Sequence, residues 1–202
     1  MKNEILKRTI STLILLPLSF FLIFEGSYIF FLSLIILMII SFYEWNKITK
    51  TKYHKLIGAL FIFFSFYSLY DLRNDANNGT ILVFFVLIVC ISTDIGGYVF
   101  GNIFKGPKLT KISPKKTYSG LIGSYIFSFL SIFIFIITLS NKLFIDNYFD
   151  LLFCVFLLST ISQIGDIIIS YFKRLSKIKD TGKIIPGHGG ILDRIDGMIF
   201  AF

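Results

Sequence analysis

The sequence predicts an all-α integral membrane protein: a polytopic bundle of about seven transmembrane helices, N-terminus cytoplasmic, with a polar site in the cytoplasmic half. Three observations carry this. The 202-residue chain is 55% hydrophobic and only 16% charged, with a mean hydropathy of +0.79, more apolar surface than a soluble domain of this size has use for. The apolar residues fall into separate runs at 9–24, 28–43, 56–70, 80–93, 121–139, 151–169 and 191–202. Basic residues crowd every second loop. With no internal repeat, low-complexity tract or polar linker, residues 1–202 read as a single polytopic membrane domain.

The first run follows the basic stretch MKNEILKRTI, and no small-residue cleavage site comes after it. It therefore reads as an uncleaved first membrane helix rather than a secretory signal. Crossing a bilayer takes about 20 helical residues, so the shorter runs must recruit their polar flanks or thin the bilayer locally. The fourth run extends through DIGGYVFGNIF to Phe104, taking Asp94 inside the helix. The seventh stops at the chain end, too short to span comfortably, as expected of a truncated chain or a partly embedded helix. RNDANNG, at 73–79, reads as an external turn.

Loop charge sets the orientation. Lys2, Lys7 and Arg8 precede the first run, Lys47, Lys50, Lys52 and Lys55 follow the second, Lys105, Lys108, Lys111, Lys115 and Lys116 follow the fourth, and Lys173, Arg174, Lys177, Lys179 and Lys183 follow the sixth. The alternate loops carry only Arg73 and Lys142 among Glu25, Asp71, Asp75, Asp146 and Asp150. Cytoplasmic loops are the basic ones, so the N-terminus and every basic loop face the cytoplasm. The net charge of +8 is thus topological, a rim that attracts anionic membrane lipids and not a nucleic-acid surface. Cys90 and Cys154 sit inside apolar runs and read as small buried hydrophobes.

Asp94, Asp166, Asp193 and Asp196 lie in or beside apolar helices. A carboxylate at a helix centre costs about 2.5–3.5 kcal/mol to insert, so these must face a wet cavity, cations or a metal. Each borders a basic loop, which places them at one depth in the cytoplasmic half. In the sixth run Ser159, Ser162, Asp166, Ser170, Lys173 and Lys177 recur at helical spacing, one polar stripe turned toward the interior. Asp193 and Asp196, three apart, share a face; Arg194 points elsewhere, toward a phosphate or a carboxylate. Hard carboxylate oxygens inside and cations at the rim favour a polyphosphate–Mg²⁺ complex. A packed salt-bridge network that only holds helices together is the structural alternative.

Two loops supply further candidates. In PGHGG, Gly187, Gly189 and Gly190 flank His188; if Ile191 opens a helix, the loop offers N–H groups to a phosphate. His188 then donates to phosphate or acts as acid or base; equally, it caps the helix or contacts headgroups. His54, in a basic loop, has no such setting. In ISPKKTYSG, Ser113 and Pro114 suit a turn, Lys115 and Lys116 are adjacent cations, and Thr117 or Ser119 suits a helix cap. Gly96, Gly97 and Gly101 mark either close helix packing or a break beside Asp94.

At these residues the chain resembles a known family. SYFKRLSKIKDTGKIIPGHGGILDRIDG is similar to the diagnostic segment of the phosphatidate cytidylyltransferase (CDP-diacylglycerol synthase) family, matching at Ser170, Lys173, Arg174, Lys179, Asp180, His188, Gly189, Gly190, Asp193, Arg194 and Asp196 in order and spacing. DIGGYVFGNIF and ISPKKTYSG resemble two further blocks, and KRTISTLILLPL and YEW its N-terminal portion. The resemblance is strongest over 94–197.

The resemblance implies transfer of a cytidylyl group from CTP to phosphatidic acid, giving CDP-diacylglycerol and pyrophosphate in phospholipid biosynthesis. It implies a bacterial-type inner-membrane enzyme, a homodimer, with its site facing the cytoplasm. It also implies Mg²⁺ on Asp166 and Asp193, with room for a second cation. On that footing Lys173, Arg174, His188 and Arg194 neutralise phosphate oxygens, Asp196 orients Arg194 or an outer-shell water, Asp94 and Tyr98 line the site, and Lys115 and Lys116 contact nucleotide or lipid phosphate. Ser170, Gly189 and Gly190 join the substrate-binding set. The chain departs from the family where Ser119 replaces an acidic residue, Tyr118 a Trp and Gly97 an Ala, and it ends soon after Gly197, where family members continue.

Other readings weigh less. A CDP-alcohol phosphotransferase would show a DG-x-x-AR…G-x-x-x-D-x-x-x-D helix, which is absent. An ion-coupled transporter would show broken helices in two halves and polar groups leading outward. A non-catalytic or truncated family relative fits the short C-terminus but not the intact set of Asp166, His188, Asp193 and Asp196. Acyl-chain preference and CTP against dCTP leave no mark on the sequence.

Overall fold

The structure, a computed structural model, describes residues 2–75, 78–110, 112–113, 115–139 and 147–202, apart from the side chains of 2–5, 7–8, 134 and 137–139. The side chains of Lys2, Lys7 and Arg8, and residues Lys111, Pro114, Lys142 and Asp146, lie outside the described part. The described residues form helices α1 (Lys2–Glu25), α2 (Ser27–Ile48), α3 (Lys52–Arg73), α4 (Gly79–Phe104), α5 (Tyr118–Leu139), α6 (Tyr148–Leu175), α7 (Leu192–Ile195) and α8 (Met198–Ala201). They contain no strand, only isolated bridges. Four helices, α2, α3, α4 and α6, are long and apolar enough to cross a membrane, and shorter apolar stretches lie at Thr9–Glu25 and Tyr118–Phe133. Large apolar side chains are exposed along them, Leu13, Phe20, Ile36, Phe64, Phe133 and Phe153 among others, a surface suited to lipid tails and not to water. The chain is an integral membrane protein.

The seventh apolar run differs from expectation. It forms the single-turn helices α7 and α8, separated at Gly197. The charged triplet Asp193, Arg194 and Asp196 interrupts the apolar pattern that a longer helix would need.

The chain divides into two compact units, residues 1–83 with 172–200 and 202, and residues 84–171 with 201. In the first, α2 packs against α1, α3 and α7. Gly26, with φ +62, ends α1 and turns the chain into α2. Arg73, the lone cation of its loop, closes this corner: its guanidinium donates to the carbonyls of Ile23 (2.7 Å) and Phe24 (3.2 Å), a cation on the carbonyl end of α1. The α2–α3 turn is fixed by Thr51, whose hydroxyl accepts from His54 N–H, and by the Trp45 indole, which donates to the His54 carbonyl at 3.0 Å. A Cβ on Gly58 would run into that indole, so glycine there lets Trp45 lie flat on α3. Phe172 meets the rings of both Trp45 and His54.

In the second unit α4 and α5 cross on small residues. A Cβ at Gly96 would strike the Gly123 carbonyl, one at Gly97 the Ser124 hydroxyl, and one at Gly123 the Phe100 side chain. The glycines around Asp94 thus serve helix packing, and α4 runs unbroken past them. Hydroxyls tie the helices further: Ser124 donates to the Thr93 carbonyl (2.8 Å) and Thr93 to Ser159 (2.9 Å). Cys90 and Cys154 are free thiols.

Candidate active site

The clustered polar residues of the first unit come from three pieces of chain. The end of α2 supplies Glu44, the end of α6 supplies Lys173, and the 176–191 loop leads into α7, which carries Asp193 and Arg194. The polar stripe of α6 ends earlier than its spacing predicts. Lys177 lies past the helix with φ +57, its N–H bonded to Arg174 O and that of Ile178 to Lys173 O. These two bonds form a Schellman cap, and the left-handed turn sends the chain back with Lys177 exposed. Ser176 fastens the turn by donating to Ile48 O at 2.6 Å.

Lys173 is buried, 9% exposed. Its ammonium lies 2.9 Å from Asp193 Oδ1 and 3.7 Å from Asp196 Oδ2. Asp193 Oδ2 accepts from the N–H of Thr181 (2.8 Å), the N–H of Gly190 (3.0 Å) and the Thr181 hydroxyl (3.0 Å). Burial opposes ionisation of Asp193. The Gly190 N–H, the hydrogen bond and charge of Lys173 and the Thr181 N–H outweigh it, holding the carboxyl below the usual range.

Glu44 was not among the sequence candidates. It is fully buried and accepts the N–H of Ile191 on Oε1 (3.0 Å), and the N–H of Leu192 and the Thr181 hydroxyl on Oε2 (both 2.8 Å). A Cβ on Gly182 or Gly190 would press into its carboxylate, and one on Gly190 would also meet the Thr181 hydroxyl. These contacts correct the reading of the glycine loop. Its amides at 190, 191 and 192 do not stand open for a phosphate, because Asp193 and Glu44 already take them, and α7 is one turn long. Gly190 is small to admit a protein carboxylate. Gly189, with φ +88, makes the turn whose carbonyl accepts Ile185 N–H.

His188 is half-buried and lies against α1. Its Nδ1 is 2.7 Å from Ser11 Oγ, and Nε2 is 3.5 Å from Thr12 Oγ1. Ser11 donates its proton to Pro186 O at 3.1 Å. Arg194 is exposed and donates through Nε to His188 O at 3.1 Å. Asp196 pairs with Lys173 and accepts Gly197 N–H. Arg174 is exposed and reaches only Ile178 O, at 3.4 Å.

The second unit holds the remaining candidates. Asp166, on α6, pairs through Oδ2 with Lys116 at 2.7 Å, and its Oδ1 accepts from Ser170 at 3.2 Å. Lys116 also donates to Gln163 O. The adjacent lysines therefore differ: Lys116 turns inward to a carboxylate, while Lys115 is exposed. Thr117 caps α5, its hydroxyl accepting Gly120 N–H at 3.1 Å. Ser119 instead donates to Lys105 O, tying the 105–117 loop together. Asp94 and Tyr98 lie one turn apart on α4, both exposed.

Taken by themselves, Asp193 Oδ1 in the first unit and each Asp166 oxygen in the second have one partner apiece among the described residues, and carboxylate oxygens are hard donors. Among the described residues no three His, Cys, Asp or Glu side chains gather into a metal-binding group.

Comparison with known proteins identifies the family. The model of the cytidylyltransferase family matches residues 52–202. The phosphatidate cytidylyltransferase of Rickettsia typhi is 35% identical over 209 residues, covering 98% of this chain and 89% of its own. That of Rickettsia felis is 35% identical over 206 residues, with the same 98% and 89% coverage. The Helicobacter pylori enzyme of that name is 39% identical over 123 residues, covering 60% of this chain and 44% of its own. A match of this extent, with the Lys173–Asp193 pair and its glycine loop inside it, places the chain in the cytidylyltransferase family.

Proposed function

We propose that this protein is a phosphatidate cytidylyltransferase. A phosphate oxygen of phosphatidic acid attacks the α-phosphorus of CTP. A new P–O bond forms, the α–β anhydride breaks, and CDP-diacylglycerol and pyrophosphate leave. The observation that carries this reading is the buried Lys173 ammonium between Asp193 and Asp196, within a chain 35% identical over 98% of its length to proteins bearing that name.

Phosphoryl transfer of this kind needs positioning and charge stabilisation more than a strong base. Mg²⁺ is the proposed ion, with room for a second cation, and Asp193 and Asp166 are each a proposed carboxylate ligand; when bound, such an ion would offset repulsion between substrate phosphates. Lys173 fixes Asp193, and Lys116 with Ser170 fixes Asp166. Exposed Arg174 and Arg194, with His188, neutralise phosphate oxygens. Lys115 contributes positive charge at the rim, and Asp94 and Tyr98 line the approach of substrate. This chemistry is proposed for the cytoplasmic side of a bacterial-type inner membrane, an orientation that the basic loops support, and for a homodimer.

The test uses purified protein in phosphatidate-containing vesicles with CTP and Mg²⁺. CDP-diacylglycerol and pyrophosphate should form in equal amounts, and chelation should stop both. Absence of product from folded protein would favour a non-catalytic relative.

A further inference from the structure

We infer that Glu44 is a positioning residue for cytidylyl transfer, holding the loop that precedes α7 so that Asp193 faces Lys173. The inference rests on the cytidylyltransferase reading for its kinetic half and on geometry for the rest. A fully buried carboxylate is unfavourable unless hydrogen bonds compensate it. Here Thr181 Oγ and Ile191 N come from the loop before α7, and Leu192 N from the first residue of α7. Gly182 and Gly190 leave the space the carboxylate occupies.

Two carboxylates divide successive amides between them. Asp193 takes Gly190 N–H, and Glu44 takes Ile191 and Leu192 N–H. Thr181 joins the two, with its N–H on Asp193 and its hydroxyl within reach of both. That hydroxyl has one proton, so it serves one carboxylate at a time. Without Glu44, the amides of Ile191 and Leu192 lose their acceptor and the Thr181 hydroxyl is left to Asp193, the carboxylate beside them. Drawn toward those amides, Asp193 leaves Lys173. The ion pair thus depends on a residue of α2 that need not touch substrate.

The test compares Glu44→Gln, Thr181→Val and Thr181→Ser with the wild type. Gln carries one acceptor where two amides need one each; Val keeps the shape of Thr and removes the hydroxyl. Hydrogen exchange over residues 181–193 reads the geometry without activity. The 191 and 192 amides should be protected in wild type and exchange at least about tenfold faster in Glu44→Gln. In kinetics kcat should fall at least about tenfold in Glu44→Gln and Thr181→Val, with KM for CTP within about twofold. Thr181→Ser should restore kcat, and the double variant Glu44→Gln/Thr181→Val should lose no more than the worse single one. If Glu44→Gln does not fold, the Thr181 pair decides. Unprotected 191–192 amides in wild type, wild-type kcat in Thr181→Val, or a loss that follows thermal stability alone would overturn the inference. An inactive wild type with protected amides would instead count against the functional reading and leave the positioning geometry supported.

Discussion

Lys173 Nζ and Asp193 Oδ1 meet at 2.9 Å with side chains 11% and 5% exposed, a cation from the last turn of α6 on a carboxylate from α7. The pair joins the end of α6 to a helix 20 residues further along the chain, and α7 has one turn of helix to hold itself in place.

Removing one partner leaves the other charge buried. Lys173→Met should therefore destabilise the protein by about 3 kcal/mol, measured by unfolding in detergent, and abolish CDP-diacylglycerol formation. Arg174→Ala, next to it but exposed, should change stability by less than about 0.5 kcal/mol while raising KM for CTP.

The adjacent lysines should separate in kinetics. Lys116→Ala frees Asp166 from its 2.7 Å partner and should lower kcat at least about tenfold. Lys115→Ala removes a rim charge and should change KM a few-fold, an effect that fades as salt rises.

Gly123→Ala should destabilise the second unit by about 2 kcal/mol. The added methyl meets Phe100 and the Gly96 carbonyl, and helix backbone cannot move aside as a flexible side chain can. Thermal unfolding in detergent checks this, with Gly106→Ala as a milder comparison, since its Cβ has ordinary contact with Ser119 and the strain is that of φ +104 alone.

Acid should weaken the α6–α7 junction. Asp193 titrates below the usual 3.8 in the folded protein, so the unfolded chain binds its proton first as pH falls. The stabilisation is complete above 3.8 and is lost as pH drops through the lower folded value. Unfolding followed from pH 6 to about pH 2 should show this acid limb in wild type and a flatter one in Asp193→Asn.

The sequence made the membrane class legible because apolar runs and alternating loop charge report it directly. It also marked the polar residues of α6 and α7, since aspartates beside apolar helices stand out. Three features were not legible. Glu44 sits one residue past the second apolar run, so it read as an ordinary flank in YEW; the argument that singled out four aspartates applies to it equally. Gly190 read as a phosphate cradle because a glycine spacing does not say which anion approaches, and here it is a protein carboxylate. Lys177 fitted the helical stripe by spacing, but a Schellman cap requires backbone contacts that no side-chain pattern encodes.

The most direct measurement is the rate of CDP-diacylglycerol formation by Asp193→Asn in phosphatidate vesicles, with CTP and titrated Mg²⁺, beside wild type. The expected result is a kcat lower by at least about 100-fold with the protein still folded. Wild-type turnover by Asp193→Asn at the same Mg²⁺ would contradict the assignment of chemistry to this site.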